Sequence, residues 1–341
     1  LGRTISEYEG QYLGKRLLVA DPDNNKFLDL SLLREVGIIT LTRPDALNAL
    51  NEELLAQLST LIDEVAAYGT LQGEKVKALI LQGYGRAFVA GADIEVFVGK
   101  KKDELERLAT DNMAVFMQLE NLSLPVISLV DGFALGGGNE LSMSTHYRIV
   151  TENAVLGQPE VKLGIIPGYG GMQRLPRLIG PKKAAEMAVN GESVDGLTAV
   201  KIGLADEFQP ACTALSRAFQ VARDFLSGQK EFRRPNWDVI AADQVANIEE
   251  LFSNRVVIEL MKSERPDHND AENLHAARKF AARMSLCALS FGYDNGFLQG
   301  LENDARLFAE VTASFSGQWW VTRFIDKDPT QFSFLTLLPR Q

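Results

Sequence analysis

Over residues 36–208 short apolar runs alternate with amphipathic stretches, and that alternation restricts the chain to an α/β fold. Val36–Leu41 is β-branched and apolar, Arg43-Pro44-Asp45 interrupts it, and Glu52–Tyr68 places Leu54, Leu55, Leu58, Leu61, Ile62 and Val65 at helical spacing. The cycle then repeats. Residues 76–82 read as a strand, 102–122 as a long amphipathic helix and 124–130 as a third apolar strand. A short helix follows, then strands near 147–150 and 154–156, then helices over 172–204. Strands separated by helices imply right-handed crossovers and a largely parallel, buried sheet system.

The flanks read differently. Residues 1–35, with the turn-prone DPDNN at 21–25, form an irregular lead-in with one or two short strands. Beyond Phe208 only helical patterning continues, over 211–226, 238–263, 271–283 and 303–314. Arg233-Arg234-Pro235 and Glu264-Arg265-Pro266-Asp267 bracket a block that reads as an insertion or lid rather than core.

Composition narrows the function. A chain of 341 residues with 46% apolar content can bury a sizeable core. A formal net charge of -10 offers no basic face to nucleic acid, and no Lys/Arg-rich segment flanks an amphipathic helix as membrane-surface binding requires. The longest apolar stretch, 124–135, is broken by Ser128, Asp131 and Gly132 and falls short of the ~20 apolar residues of a membrane span. Cys212 and Cys287 lie far apart with no His beside them, so buried thiols are expected rather than a disulfide or a metal site. The chain opens at Leu1, not Met, and without a charged-then-apolar signal segment; the expectation is a cytoplasmic protein, with an upstream segment left open.

Three Gly-rich loops follow predicted strands: residues 83–93 (GYGRAFVAGAD), 132–140 (GFALGGGNE) and 164–171 (GIIPGYGG). Glycines there let backbone N–H groups approach a ligand, and a helix starting just after the loop adds partial positive charge. The middle loop lacks the G-x-G-x-x-G spacing of a dinucleotide site, and neither a phosphate loop with Gly-Lys-Ser/Thr nor G-x-S-x-G occurs. What remains is a set of donors for an oxygen that becomes negative. Glu140 and Glu160 flank this Gly-rich backbone; singly, they also read as a first-turn acid and a solvated loop acid.

The wording of the loops goes further. LTRPDALNAL at 41–50, AGADI at 90–94, ALGGGNEL at 134–141 and GQPEVKLGIIPGYGGMQRL at 157–175 resemble the motifs of the crotonase superfamily of enoyl-CoA hydratases and isomerases, in that family's order and near its spacings. GLENDARLFA at 300–309 is similar to the family's penultimate helix, which helps close the site and build trimers. Residues 1–35 and about 233–275 exceed the usual pattern. The resemblance implies a ββα superhelical (spiral) core over 36–208, with a helical trimerisation region over 209–341.

It also implies a chemistry. The N–H groups of Ala92 and Gly137 would form an oxyanion hole for a thioester oxygen. Glu140 and Glu160 would hold a water between them, Glu160 as principal acid/base and Glu140 holding or activating the water. Coenzyme A would be bound as part of the substrate along Asn48, Ala49, Leu50, Ala92, Asp93, Ile94 and Gly137, with no prosthetic group and no metal. Glu95 stands where many relatives carry Lys, so a phosphate or adenine contact from that position is missing. Retention of both glutamates favours an enoyl-CoA hydratase, a hydro-lyase of fatty acid metabolism, over an isomerase. Action on a cyclic or otherwise unusual acyl-CoA, and a silent acyl-CoA- or partner-binding subunit, are the other readings. A homotrimer or hexamer is implied, with neither nucleic acid nor membrane as partner.

Tyr169 reads either as a residue that narrows the acyl pocket or as packing, and Met113, Phe116 and Met117 either as an acyl channel or, more simply, as a core stripe. His146, His268 and His275 show no partner spacing.

Overall fold

The structure is a computed structural model that describes residues 15–17, 27–232, 237–238, 250–262, 274–314 and 317–318. Most of the block set apart as an insertion, 233–275, and His268 lie outside the described residues.

One sheet has seven strands in the order β1 (Lys15–Leu17), β2 (Leu28–Leu33), β3 (Val36–Leu41), β4 (Ala78–Gly83), β6 (Val126–Val130), β8 (Tyr147–Val150) and β11 (Glu207–Phe208). Pairing is antiparallel from β1 to β3 and parallel from β3 onward. Both faces of the parallel part are covered, which is why its strands read as predominantly apolar runs. Ile38, Ile80, Ile127 and Ile149 meet Ala214, Ala218, Val221 and Ala222 of helix α7 (Ala211–Leu226). Ile39, Leu41, Leu79 and Leu81 point the other way, into the main core with α1 (Glu52–Tyr68). Helix α1 starts where the Asn51 side chain accepts from the Leu54 N–H at 2.9 Å, and ends at Gly69 in the left-handed region.

The second sheet is the main departure from the sequence reading. Within the segments read as Gly-rich loops lie β5 (Ala87–Val89) and β7 (Phe133–Leu135); with β9 (Val155–Gly157) and β10 (Ser193–Asp195) they form a four-stranded sheet in the order β10-β9-β7-β5. Strands of three residues are too short for a period-2 pattern, so they hide among glycines. The chain therefore winds as strand, strand, helix: β4, β5, α2 (Lys102–Glu120), then β6, β7, α3 (Gly137–Met143), then β8, β9 and the helices α4 (Gly171–Ile179) and α5 (Pro181–Asn190). Each turn adds one strand to each sheet. The expectation of a ββα spiral matches this order.

After α6 (Gly196–Ile202) and β11 the described residues are helical: α7, α8 (Arg255–Met261), α9 (Leu274–Asn295) and α10 (Phe297–Thr312). The last two helices begin or end beyond their sequence-read limits, because Gly296 alone separates them and no apolar period marks that corner. Cys212 corrects an expectation: it is exposed, since the buried stripe of α7 runs through Ala214, Ala218, Val221 and Ala222 and position 212 falls outside it; Cys287 is half-buried. No helix among the described residues is long and apolar enough to cross a membrane.

Candidate active site

Strands β5, β7 and β9 run parallel and side by side, with Gly157 opposite Leu135 and Val89 opposite Ala134. Their C-terminal ends therefore share one edge, and whatever follows each strand is delivered to the same place. Ala90, Gly91 and Ala92 follow β5; Gly136, Gly137 and Glu140 follow β7; Pro159 and Glu160 follow β9. All of them line one pocket, closed by Ile94, Phe97, Tyr169 and Phe308 among others, with a cavity of about 40 Å³. The structure thus brings together Ala92, Gly137, Glu140 and Glu160, which the sequence spreads over three loops.

Two glycines permit this convergence. Gly136 has φ 51 and ψ -122, and a Cβ there would lie 2.6 Å from a carboxylate oxygen of Glu160. Gly138 lets α3 rest on β5: a Cβ would lie 1.9 Å from the carbonyl oxygen of Val89, a backbone atom that can move only with its strand. Gly138→Ala is expected to cost about 1–3 kcal/mol of unfolding free energy, as overpacking does, read from the midpoint of a urea transition. An unshifted midpoint would show that α3 does not bear on β5 in this way.

Two backbone N–H groups stand at the pocket, those of Ala92 and Gly137. Leu50 forms an isolated parallel bridge with Ala92, donating to the Gly91 carbonyl (2.9 Å) and accepting from the Asp93 N–H (2.8 Å). That pairing turns the flanking groups toward Leu50 and leaves the Ala92 N–H facing away from it. Gly137 is the first residue of α3, where N–H groups have no intrahelical partner. Among the described residues neither N–H has a backbone acceptor.

The two carboxyls sit in unequal surroundings. Glu140 is buried at 1% exposure, and its Oε1 accepts from the N–H groups of Tyr169 (2.9 Å) and Gly171 (2.6 Å). Burial pushes this carboxyl up to about 7, with the Gly171 and Tyr169 donors and the Arg174 charge opposing the rise. Glu160 lies against Gly136 and is pushed well above the usual carboxylate range, by burial and by the charge of Glu140, with its own backbone N–H opposing the rise. Both carboxyls are shifted upward and each charge disfavours the other, so the two titrate as a pair. Gln158, fully buried, donates to both Glu160 oxygens at 3.0 and 3.3 Å when its amide nitrogen is turned toward them, the orientation in which both amide atoms find partners.

Of the other expected ligand residues, Ile94 lines the pocket, while Asn48, Ala49, Leu50 and Asp93 lie around it. The Asn48 side chain is fully buried, donating to the carbonyls of Tyr84 (3.0 Å) and Ala87 (2.8 Å) and accepting from the Arg43 N–H (2.8 Å), so it braces the 41–50 loop against β5. Arg43 also donates to the Ala49 carbonyl and pairs with Asp93 at 3.0 Å. Leu50 stands beside Gly137, and Ile94 is part of the lining.

Tyr169 faces the pocket and is edge-on to Phe116, at 5.9 Å between ring centroids. Met113 and Phe116 are buried core residues outside the pocket lining, and Met117 is partly buried against the same core. His146 accepts from the Val126 N–H at 3.0 Å through Nδ1 and approaches the Glu120 carbonyl at 3.0 Å through Nε2, the pattern of a neutral packing histidine. His275 is exposed. Among the described residues no group of His, Cys, Asp and Glu could hold a metal ion.

Sequence reasoning missed the polar groups behind the site. Arg174, wholly buried, pairs with Glu120 through Nε (3.0 Å) and Nη2 (2.9 Å), and Asp304, also buried, accepts from Gln173 at 2.8 Å. Charged residues spaced along amphipathic helices look solvated in sequence, and only the adjacent run GMQRL gave a hint at Arg174.

A family model described as enoyl-CoA hydratase/isomerase matches residues 33–250. The chain is 39% identical to the short-chain-enoyl-CoA hydratase of Clostridium acetobutylicum over 194 residues, 57% of this chain and 72% of that protein. It is 38% identical to the crotonyl-CoA hydratase of Syntrophomonas wolfei over 194 residues, 57% of this chain and 73% of that one. Among solved structures, the enoyl-CoA hydratase of Bacillus anthracis superposes with a TM-score of 0.55 at 27% identity, covering 80% of this chain and 97% of its own. A carnitinyl-CoA dehydratase from Mycobacterium thermoresistibile gives a TM-score of 0.68 at 20% identity, covering 91% and 93%, a likeness of fold alone.

Proposed function

The chain belongs to the enoyl-CoA hydratase/isomerase family, and from that premise we propose that it adds water across the 2,3 double bond of an enoyl-CoA thioester. The observation that carries this reading is the unequal pair of buried carboxyls in one pocket with two unspent backbone donors. In this reading residues 36–208 carry the chemistry and the helical part, 209–341, closes and assembles it.

The thioester oxygen accepts from the N–H groups of Ala92 and Gly137. As water attacks the β-carbon, negative charge moves to that oxygen, and the two fixed donors stabilise it more in the transition state than in the substrate. Glu140, ionised, holds the water and takes its proton as the new C–O bond forms. Glu160, protonated, delivers a proton to the α-carbon as the enolate collapses. The proton on Glu140 then passes to Glu160 for the next cycle. Coenzyme A enters only as part of the thioester, beside the loops carrying Asn48 to Leu50 and Ala92 to Ile94.

The rings of Phe97, Tyr169 and Phe308 bound the cavity beside the carboxyls. That enclosure by rings supports short, linear acyl chains, as the names of two relatives also do. A series of linear and cyclic enoyl-CoA thioesters checks this: crotonyl-CoA is expected to turn over fastest, and preference for a cyclic or long-chain thioester would count against it. A role in fatty acid oxidation, assembly as a homotrimer or hexamer, and a cytoplasmic location complete the reading.

The pH dependence follows from the two environments. Turnover needs Glu140 ionised and Glu160 protonated, so kcat/KM is expected to rise with pH through about 7 and to fall again at higher pH as Glu160 releases its proton. Crotonyl-CoA hydration followed by loss of its ultraviolet absorbance across this range tests the proposal. A rate independent of pH on the acid side of neutrality would sink the assignment of Glu140.

A further inference from the structure

Behind the pocket a line of polar contacts runs from Glu140 to a tryptophan in the segment that the sequence sets apart as an insertion. Tyr169 and Gly171 present their N–H groups to Glu140. The carbonyl of Tyr169 accepts from Arg174 Nη1 at 3.1 Å, so one guanidinium grips the turn from its other side. Arg174 is in turn fixed by both oxygens of Glu120. Oε2 of Glu120 takes one more donor, the indole N–H of Trp237, at 3.1 Å.

Trp237 is itself well located. Its ring stacks on Phe297 with centroids 5.4 Å apart and planes 20° apart, and its backbone carbonyl accepts from Arg177 Nε at 2.8 Å. Phe297 also lies under the guanidinium groups of Arg174 and Arg177, each 5.4 Å from its centroid. The indole therefore touches this buried pair through its N–H and through the ring it covers.

We infer that Trp237 is a positioning residue for Glu140: its indole N–H orients Glu120, Glu120 orients Arg174, and Arg174 holds the Tyr169–Gly171 turn that cradles the carboxylate. The physical basis is dryness. With Glu120 5% exposed and Arg174 wholly buried, water does not replace a lost donor, and the remaining contacts must readjust. The readjustment reaches the turn because Arg174 is shared between Glu120 and Tyr169. Charged or titratable groups facing Glu140 are Glu160, Arg174, Asp304 and Tyr169, and of these only Arg174 is held by Glu120.

The inference rests on the hydratase reading, and Trp237→Phe tests it, since it keeps an aromatic ring to stack on Phe297 while removing the indole N–H. Expected are a fall in kcat for crotonyl-CoA of about three- to tenfold, as for an alignment loosened but not lost, little change in KM, and an acid limb displaced to higher pH. The displacement has that sign because poorly directed N–H groups and a looser Arg174 stabilise ionised Glu140 less. A purely structural role would lower stability without moving the limb.

The ionisation of Glu140 is also readable without turnover, from the carboxyl stretch in infrared difference spectra assigned with Glu140→Gln. If the parent does not hydrate crotonyl-CoA, the hydratase reading fails and the infrared titration still decides the role of Trp237. Coincident titrations of Glu140 in parent and Trp237→Phe overturn the inference. Should Trp237→Phe not fold, Phe297→Leu, which unseats the indole, must shift the titration in the same direction, and no shift there overturns it as well.

Discussion

Glu160→Gln is expected to lower kcat for crotonyl-CoA hydration by about 100- to 10,000-fold, the usual worth of a positioned general acid. Glutamine fits the same space against Gly136 and next to Gln158, so the change removes the proton and leaves the packing. A second effect makes the test sharper. Burial and the charge of Glu140 raise the folded-state pKa of Glu160 above its unfolded value, so the native state keeps a proton that the unfolded chain releases. Native stability therefore declines as pH rises from the unfolded value through the folded one. Glutamine has no such proton, and the variant is expected to lose less stability than the parent between mildly acidic and alkaline pH. An inactive enzyme with a flatter stability profile is the predicted pair of results, read from steady-state rates and urea melts. Near-parental turnover would refute the role given to Glu160.

Arg174→Met is expected to destabilise the fold by about 3–5 kcal/mol, because it leaves the Glu120 carboxylate in a dry site without its countercharge. Methionine fills comparable volume, so most of the loss is electrostatic. Replacing both partners, with Arg174→Met and Glu120→Leu together, is expected to recover a large part of it, since the buried charge is gone. The double variant should still be impaired in catalysis: the Tyr169 carbonyl has lost its donor, and the removed positive charge no longer holds Glu140 down, so the acid limb moves upward from about 7. Denaturation midpoints and pH profiles of the three proteins separate these effects. A single variant as stable as the double one would show that Glu120 is not stranded.

Much of the framework is legible without coordinates. Val36–Leu41, residues 76–82 and residues 124–130 are mostly apolar because parallel strands covered on both faces have little solvent side, and each holds a strand of the large sheet. Helix α1 is announced by its Asn51 cap, its leucine spacing and Gly69. The four residues proposed to do the chemistry stand within the quoted motifs, and all four line the pocket. Chemistry that relies on backbone N–H groups needs glycine where backbone must come close, and glycine-rich wording survives in a sequence as plainly as a side chain does.

Other features depend on neighbours far along the chain. Strands β5 and β7 are only three residues long and make sense only beside one another and β9. The exposure of Cys212 depends on which stripe of α7 meets the large sheet, and the internal bracing by Asn48 depends on the proximity of Tyr84 and Ala87. Trp237 bonds to Glu120 across 117 positions, and no local pattern encodes such a contact.

The opposed glutamates divide along the same line. Sequence alone determined that Glu140 and Glu160 would flank Gly-rich backbone, since residue type and order are written in the chain. Only the tertiary structure decided how they differ. Two donors and a nearby guanidinium meet Glu140, while Glu160 faces burial and a like charge. Those inequalities arise because ionisation responds to three-dimensional distance and solvent access, to which the order of residues along a chain is blind.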